Sequence, residues 1–329
     1  MLKSIYYIFR YFPFYYKLFR DYKKTINYSK LLIAEVKLLF PNWNSVVNTE
    51  NQKRMKDYIL IQTLWTAGFC LLRGERIKDN ELKAIVNISA LAPFYDDFFD
   101  KREMYLENIH ELIENPFEYN PKTDLERLFI EFSKRIHENV KDISLCLENA
   151  QKVFNAQYES KKLVSKELLD RKEVRRIAFN KGASTVICIC NMLNKRLSEK
   201  EERLMFQLGG VAQYLDDVFD LREDYLEGRQ TLVNPVTNIE FLKTSFVDEV
   251  KSFKYHLIES GYSKSNRMAF YFPISFLLGA TLLCFKRYEF LESENEGGFD
   301  VKNYSRHELV VDMDLWINRL KAFKLASKV

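Results

Sequence analysis

Glycine and proline are scarce in this sequence, at 10 and 7 of 329 residues. Together they make about 5% of the chain, against roughly 12% in an average protein. So few turn-formers exclude β-sandwiches, propellers and collagen-like repeats. Cysteine is sparse and odd in number: Cys70, Cys146, Cys188, Cys190 and Cys284 sit in apolar runs without a C-x-x-C pair. That usage argues against a disulfide framework and fits a reduced, cytoplasmic setting. Charge of one sign is also missing, with 50 Lys+Arg against 46 Asp+Glu and a formal net charge of +4. Mixed signs leave no field to hold nucleic acid, whose affinity comes largely from phosphate neutralisation. Met1 to Arg10 lacks a charge-free apolar core followed by a small-residue cleavage site, so no signal peptide is expected.

What is present is apolar and helical. Hydrophobic residues make 47% of the chain and charged residues 29%, a folded composition. Thr123-Asp124-Leu125-Glu126 and Ser198-Glu199-Lys200-Glu201 read as capping boxes, each opening an amphipathic run. Breaks are expected at Pro41, from Pro116 to Pro121, near Asp170, from Gly228 to Pro235, at Gly261 and at Gly297-Gly298. The pattern predicts an all-α protein: a single-domain bundle of about ten helices. Residues 1–45 form an aromatic-rich helical arm and residues 46–329 the helical domain. The longest uncharged apolar run, Met268 to Phe285, is read as a buried core helix rather than a membrane span. Ser4 to Arg20 mixes Tyr and Phe with Arg10, Lys17 and Arg20. It suits either peripheral contact with a membrane surface or packing on the main body.

Two acidic motifs carry the chemistry. In Tyr95-Asp96-Asp97-Phe98-Phe99-Asp100, Asp96 and Asp100 are i and i+4, two carboxylates one turn apart on a helix face. Like charges at that spacing repel, and apolar flanks turn the face inward, so a compensating cation is needed. Hard oxygen ligands suit Mg²⁺. Gln213-Tyr214-Leu215-Asp216-Asp217-Val218-Phe219-Asp220-Leu221-Arg222-Glu223-Asp224 repeats the pattern and extends it. Asp216, Asp220 and Asp224 are expected as a two-turn stripe. Gly209 and Gly210, upstream, imply close approach of a ligand or another helix. Two such motifs on separate helices can face one another across a bundle core and enclose a Mg²⁺-bound diphosphate.

The pair Asp96-Asp97-x-x-Asp100 and Asp216-Asp217-x-x-Asp220-x-x-x-Asp224 resembles the class I isoprenoid-diphosphate enzymes: trans-prenyltransferases, squalene/phytoene synthases and class I terpene synthases. The likeness spans roughly residues 60–290 and implies that the bundle closes around a central cavity. It implies Asp96, Asp97, Asp100, Asp216, Asp217, Asp220 and Asp224 as metal ligands, with Asp96, Asp100, Asp216 and Asp220 as the catalytic set. It also implies three Mg²⁺ ions, replaceable by Mn²⁺, and a prenyl diphosphate as substrate. Basic side chains complete the diphosphate site in this superfamily. Arg176, Lys181 and Gly182 resemble its kinked central helix, and Arg287-Tyr288 resembles its C-terminal Arg-Tyr pair. Gln213 and Arg229 flank the second motif, with Arg229 on an expected lid loop ending at Pro235.

Departures favour cyclisation over chain elongation. The basic Gly-Gly-Lys-Arg element of elongating enzymes is met only by Arg73-Gly74-Glu75-Arg76, and the double Arg after the first motif by Lys101-Arg102. Ala212 stands where that family carries Phe. The expectation is a terpene synthase that ionises a linear allylic diphosphate. The alternatives are a prenyl diphosphate synthase, a squalene/phytoene-type transferase, or a non-catalytic helical partner of a prenyl synthase. A homodimer is among the assemblies such chains form. A di-iron bundle needs two Glu-x-x-His motifs, and Glu107-Asn108-Ile109-His110 is the only one here.

Overall fold

The computed structural model describes residues 2–100, 105–164, 167–236, 238–295 and 298–326, apart from the side chains of residues 2–15, 17, 18 and 100. Among them are fourteen α-helices, two 3-10 helices and no β-strand. The all-α class is therefore as expected. The helices beyond ten are partly short pieces, such as α2, α10 and α13 below, which periodicity alone does not separate. The chain divides into two compact units, Met1–Phe154 with Cys188–Leu197, and Asn155–Ile187 with Ser198–Val329.

The first unit holds α1 (Leu2–Leu39), α2 (Trp43–Val46), α3 (Thr49–Leu72), α4 (Asp79–Asp100), α5 (Leu106–Glu114), α6 (Asp124–His137) and most of α7 (Ile143–Ser160). Thr123 caps α6, its hydroxyl accepting the Glu126 N–H at 3.2 Å. The apolar stripe of α6, Leu128, Phe129, Phe132 and Ile136, turns inward at helical spacing. α4 packs between α3 and α6 and buries Ile85, Val86, Ala90 and Phe94, with Pro93 carried inside the helix. α1 lies against α3 and α4 through Leu32 and Val36, with Asp21 and Thr25 also buried. Its second half is thus part of the main body. For the Ser4–Arg20 stretch, most side chains lie outside the described residues.

The second unit contains most of α8 (Arg171–Cys190), then α9 (Glu199–Phe219), α10 (Leu221–Glu227), α11 (Ile239–Glu259), α12 (Lys264–Ser293), α13 (Arg306–Leu309) and α14 (Trp316–Ala326). At the start of α9, Glu201 accepts both the backbone N–H and the hydroxyl of Ser198 at 2.8 Å. α11 buries Leu242, Phe246, Val250, Phe253 and Leu257 against α9 and α12. α12 is long and apolar enough to cross a membrane, and 61% of its most apolar window is buried inside the fold. It remains one helix through Pro273, and at Gly279 it meets α14 so closely that a Cβ would lie 2.1 Å from the Ala322 carbonyl oxygen.

Candidate functional site

The two acidic motifs fall in different units, and each is built by its own neighbours. In the first unit, Asn51, Arg54 and Tyr58 share a face of α3, being three and four residues apart. Buried Asp97 accepts from Arg54 Nη1 at 2.6 Å and from Asn51 Nδ2 at 3.0 Å. Asp96 accepts from Tyr58 Oη at 2.9 Å and stands 3.8 Å from Arg54 Nη2. The cation that this motif demands is thus supplied in part by Arg54. Sequence reasoning missed Arg54, Asn51 and Tyr58, because their partners lie about forty residues away on another helix. Asp100 ends α4, and its side chain lies outside the described residues.

In the second unit, α9 stops at Phe219 and α10 begins at Leu221, with Asp220 between them at φ −104° and ψ 15°. The expected continuous stripe is therefore interrupted at its middle member. Hydrogen bonds still link the Asp220 N–H to the Asp216 carbonyl and the Asp224 N–H to the Asp220 carbonyl, both at 2.9 Å, so the i, i+4, i+8 order survives the break. Asp217 is almost fully buried, accepting from Gln213 Nε2 and from the Leu232 N–H, each at 2.8 Å. Asp216 reaches solvent, with Gln213 Nε2 at 3.3 Å.

Crowding shows in the protonation of these groups. Burial, then neighbouring carboxylates, push Asp220 up to about 6 and Asp224 up to about 8. Burial lifts Asp217 to about 7, and desolvation by its surroundings raises Asp216 too, although part of that side chain reaches solvent. The field of Lys181 opposes the rise at Asp216 and Asp217, Arg229 opposes it at Asp216 and Asp224, and Arg306 opposes it at Asp220. Arg306 donates to Asp220 at 3.2 Å and lies 3.5 Å from Glu223. Sequence reading did not single it out; Ser305-Arg306-His307-Glu308 is a capping box, which signals a helix start but not a site.

The other sequence-derived basic residues are dispersed. Lys181 sits by the second motif, within range of Asp216 and Asp217. Arg176 is exposed and bound to Glu159 and Glu173, at 2.6 and 2.8 Å, away from the aspartates. Arg229 lies 3.6 Å from Asp224 and 3.0 Å from Glu227. Arg287 donates to the Glu308 carbonyl at 2.9 Å, and the buried Tyr288 hydroxyl donates to the Val218 carbonyl at 2.7 Å. Both hold one helix to another.

Two local expectations are corrected. α8 runs unbroken through Gly182, because the glycine serves helix packing: a Cβ there would lie 2.2 Å from the Gly209 carbonyl oxygen, and one at Gly209 would lie 2.4 Å from Ala183 Cα. The expected lid is a buried plug. Gln230, Thr231, Leu232, Val233 and Asn234 are buried, and Gln230 is tied to Leu163, Glu167 and Leu169 while Asn234 holds the Arg229 carbonyl. Gly228, in the left-handed region at φ +65°, ends α10 and lets the chain turn into this segment.

Among the described residues, no three His, Cys, Asp or Glu side chains form a ready-made metal site. That excludes a dedicated protein cage there. Surface hollows of about 300 and 490 Å³ are lined by Lys200, Arg203 and His256 in the second unit and by Asp142, Asn194 and Arg196 in the first. Neither touches an acidic motif. No protein-family model matches the chain, and no curated protein matches it in sequence.

Proposed function

We propose that the chain is a Mg²⁺-dependent class I terpene synthase that ionises a linear allylic prenyl diphosphate. The reading rests on four aspartates, Asp216, Asp217, Asp220 and Asp224, placed by consecutive helical turns beside Lys181, Arg229 and Arg306, with Asp217, Asp220 and Asp224 raised by burial and by neighbouring carboxylates. Paired carboxylates short of positive charge accept a hard cation, and nearby basic side chains accept an anion.

One or two of Asp216, Asp220 and Asp224 would hold a Mg²⁺ ion in the second unit, its shell completed by water and phosphate oxygens, and Asp96 is the candidate ligand for an ion in the first. Bound there, the ion supplies Lewis-acid stabilisation of the charge that grows on diphosphate as the allylic C–O bond breaks. Asp217 serves differently, since both its oxygens are engaged and fix the segment after α10. Lys181, Arg229 and Arg306 orient the anion and favour the more charged transition state over the ground state. Aromatic faces stabilise a carbocation without trapping it as a nucleophile would.

A second reading, a non-catalytic partner of a prenyl synthase, draws on the first motif, where Arg54 already neutralises Asp97. Incubation with geranyl, farnesyl and geranylgeranyl diphosphates, with and without isopentenyl diphosphate, separates the readings. A hydrocarbon or alcohol from one allylic substrate supports the synthase. A longer linear diphosphate supports a transferase, and no product under any condition supports the partner.

A further inference from the structure

The second unit presents an apolar surface that the acidic site does not use. On α14, Trp316, Leu320 and Phe323 recur at i, i+4 and i+7, and are 70, 47 and 38% exposed. Leu315 and Ile317 are exposed beside them. The opposite face of the same helix, Ala322, Leu325 and Ala326, is buried, with the Gly279 contact fixing it on α12. Phe323 carries the patch onto α12, its ring 6.1 Å from Phe272 and 4.9 Å from Phe276. A contiguous run of large apolar side chains on a rigid helix marks an interaction surface, whereas scattered ones do not.

Charge identifies the occupant. Asp312 and Asp314 precede the helix and Arg319 is paired with Asp314 at 3.4 Å, but from Leu315 to Val329 the sequence has no acidic residue against Lys321, Lys324 and Lys328. Lys321 and Lys324 are exposed, one position on from Leu320 and Phe323, so a basic stripe flanks the apolar one. Two copies meeting through this face would set lysine against lysine. An anionic bilayer instead takes Trp, Leu and Phe at the headgroup boundary and pairs the lysines with lipid phosphates. We infer that α14 is a peripheral membrane-docking element that binds anionic lipid surfaces, with Trp316 and Leu320 as apolar anchors and Lys321 and Lys324 as the electrostatic contacts. This inference is independent of the proposed reaction.

The test is co-sedimentation of the full chain with phosphatidylcholine vesicles with or without 30% phosphatidylserine. A doubly substituted variant, Trp316→Ser with Leu320→Gln, is compared with Lys321→Glu with Lys324→Glu. All four positions are exposed, and thermal melts check that the fold persists. The expected result is binding to the anionic vesicles that falls at least tenfold in each variant and weakens with salt. Aromatic side chains in residues 1–24 are unchanged in both variants, so any binding through them cancels in the comparison. As an independent readout, brominated lipid should quench tryptophan fluorescence in the wild type, and this quenching should be largely lost in Trp316→Phe. Equal binding by wild type and variants, or no binding at all, overturns the inference. So does a concentration-dependent dimer that disappears in the Trp316→Ser, Leu320→Gln variant, which would assign the face to a second copy.

Discussion

The Leu232 N–H donates to Asp217 Oδ2 across 2.8 Å, both groups buried, so the second aspartate of this acidic motif anchors the chain that follows it. The first motif repeats the arrangement: its second aspartate, Asp97, accepts from Arg54 at 2.6 Å. In each Asp-Asp pair the second member is tied into its own unit, and the first is the more exposed.

Asp217→Ala should therefore act on stability. It orphans the buried Leu232 N–H, at about 1–3 kcal/mol for a buried group left unsatisfied, and leaves the Gln213 amide only its longer bond to Asp216. Asp216→Ala, at a solvent-reached position, should cost less than about 1 kcal/mol while abolishing turnover. Urea unfolding of both variants, alongside an activity assay, checks the division. Equal stability loss in the two would contradict it.

Arg54→Met should remove the charged partner of buried Asp97 and leave Asn51 as a neutral donor to it, destabilising the first unit by about 1–3 kcal/mol. Adding Asp97→Asn should recover much of that loss by removing the stranded charge. Denaturant midpoints for the two single variants and the double variant form the test. A double variant as unstable as the sum of the singles would show that Arg54 and Asp97 are not coupled.

How much of this could be read from the sequence follows from the range of each interaction. Thr123 and Ser198 mark their helix starts within four residues, and Gly228 marks a helix end, so these local features were legible. The aspartate motifs were legible as well, being periodic. The charges that answer them were not: Arg54 lies 43 residues from Asp97, and Arg306 lies 86 from Asp220. Gly182 was visible as an anomaly, but only the packing of α8 on α9 distinguishes a helix contact from a substrate contact. Arg176 looked as eligible as Lys181, until Glu159 and Glu173 took its guanidinium.

Lys181→Ala should lower the maximal rate more than it raises the Michaelis constant. Arg176→Ala should leave the rate unchanged and cost about 1 kcal/mol or less, because its ion pairs are exposed. Gly182→Ala should lose stability by about 1–3 kcal/mol through overpacking against Gly209, with activity falling only as the folded fraction does. Steady-state kinetics paired with thermal melts resolves all three.

Stability should also depend on pH in an unusual direction. Asp217, Asp220 and Asp224 hold their protons up to about 7, 6 and 8 in the folded chain, against an ordinary value near 4 when unfolded. Between about pH 4 and 8 the native state binds more protons than the unfolded one, so their contribution makes the metal-free chain less stable as pH rises. Mg²⁺ competes with those protons, so 10 mM Mg²⁺ should raise the melting temperature more at pH 8 than at pH 6. Melting curves at both pH values, with and without the ion, give the answer. No Mg²⁺ effect at either pH would remove the metal from the second motif.

Diphosphate release from a single allylic prenyl diphosphate, measured with the purified chain, decides whether the protein ionises such a substrate. Release should require Mg²⁺ but not isopentenyl diphosphate, be abolished by chelator and fall at least a hundredfold in Asp216→Ala and in Asp96→Ala, both with wild-type helicity. Release that persists in chelator, or that is unchanged in either variant, would contradict the proposed reaction.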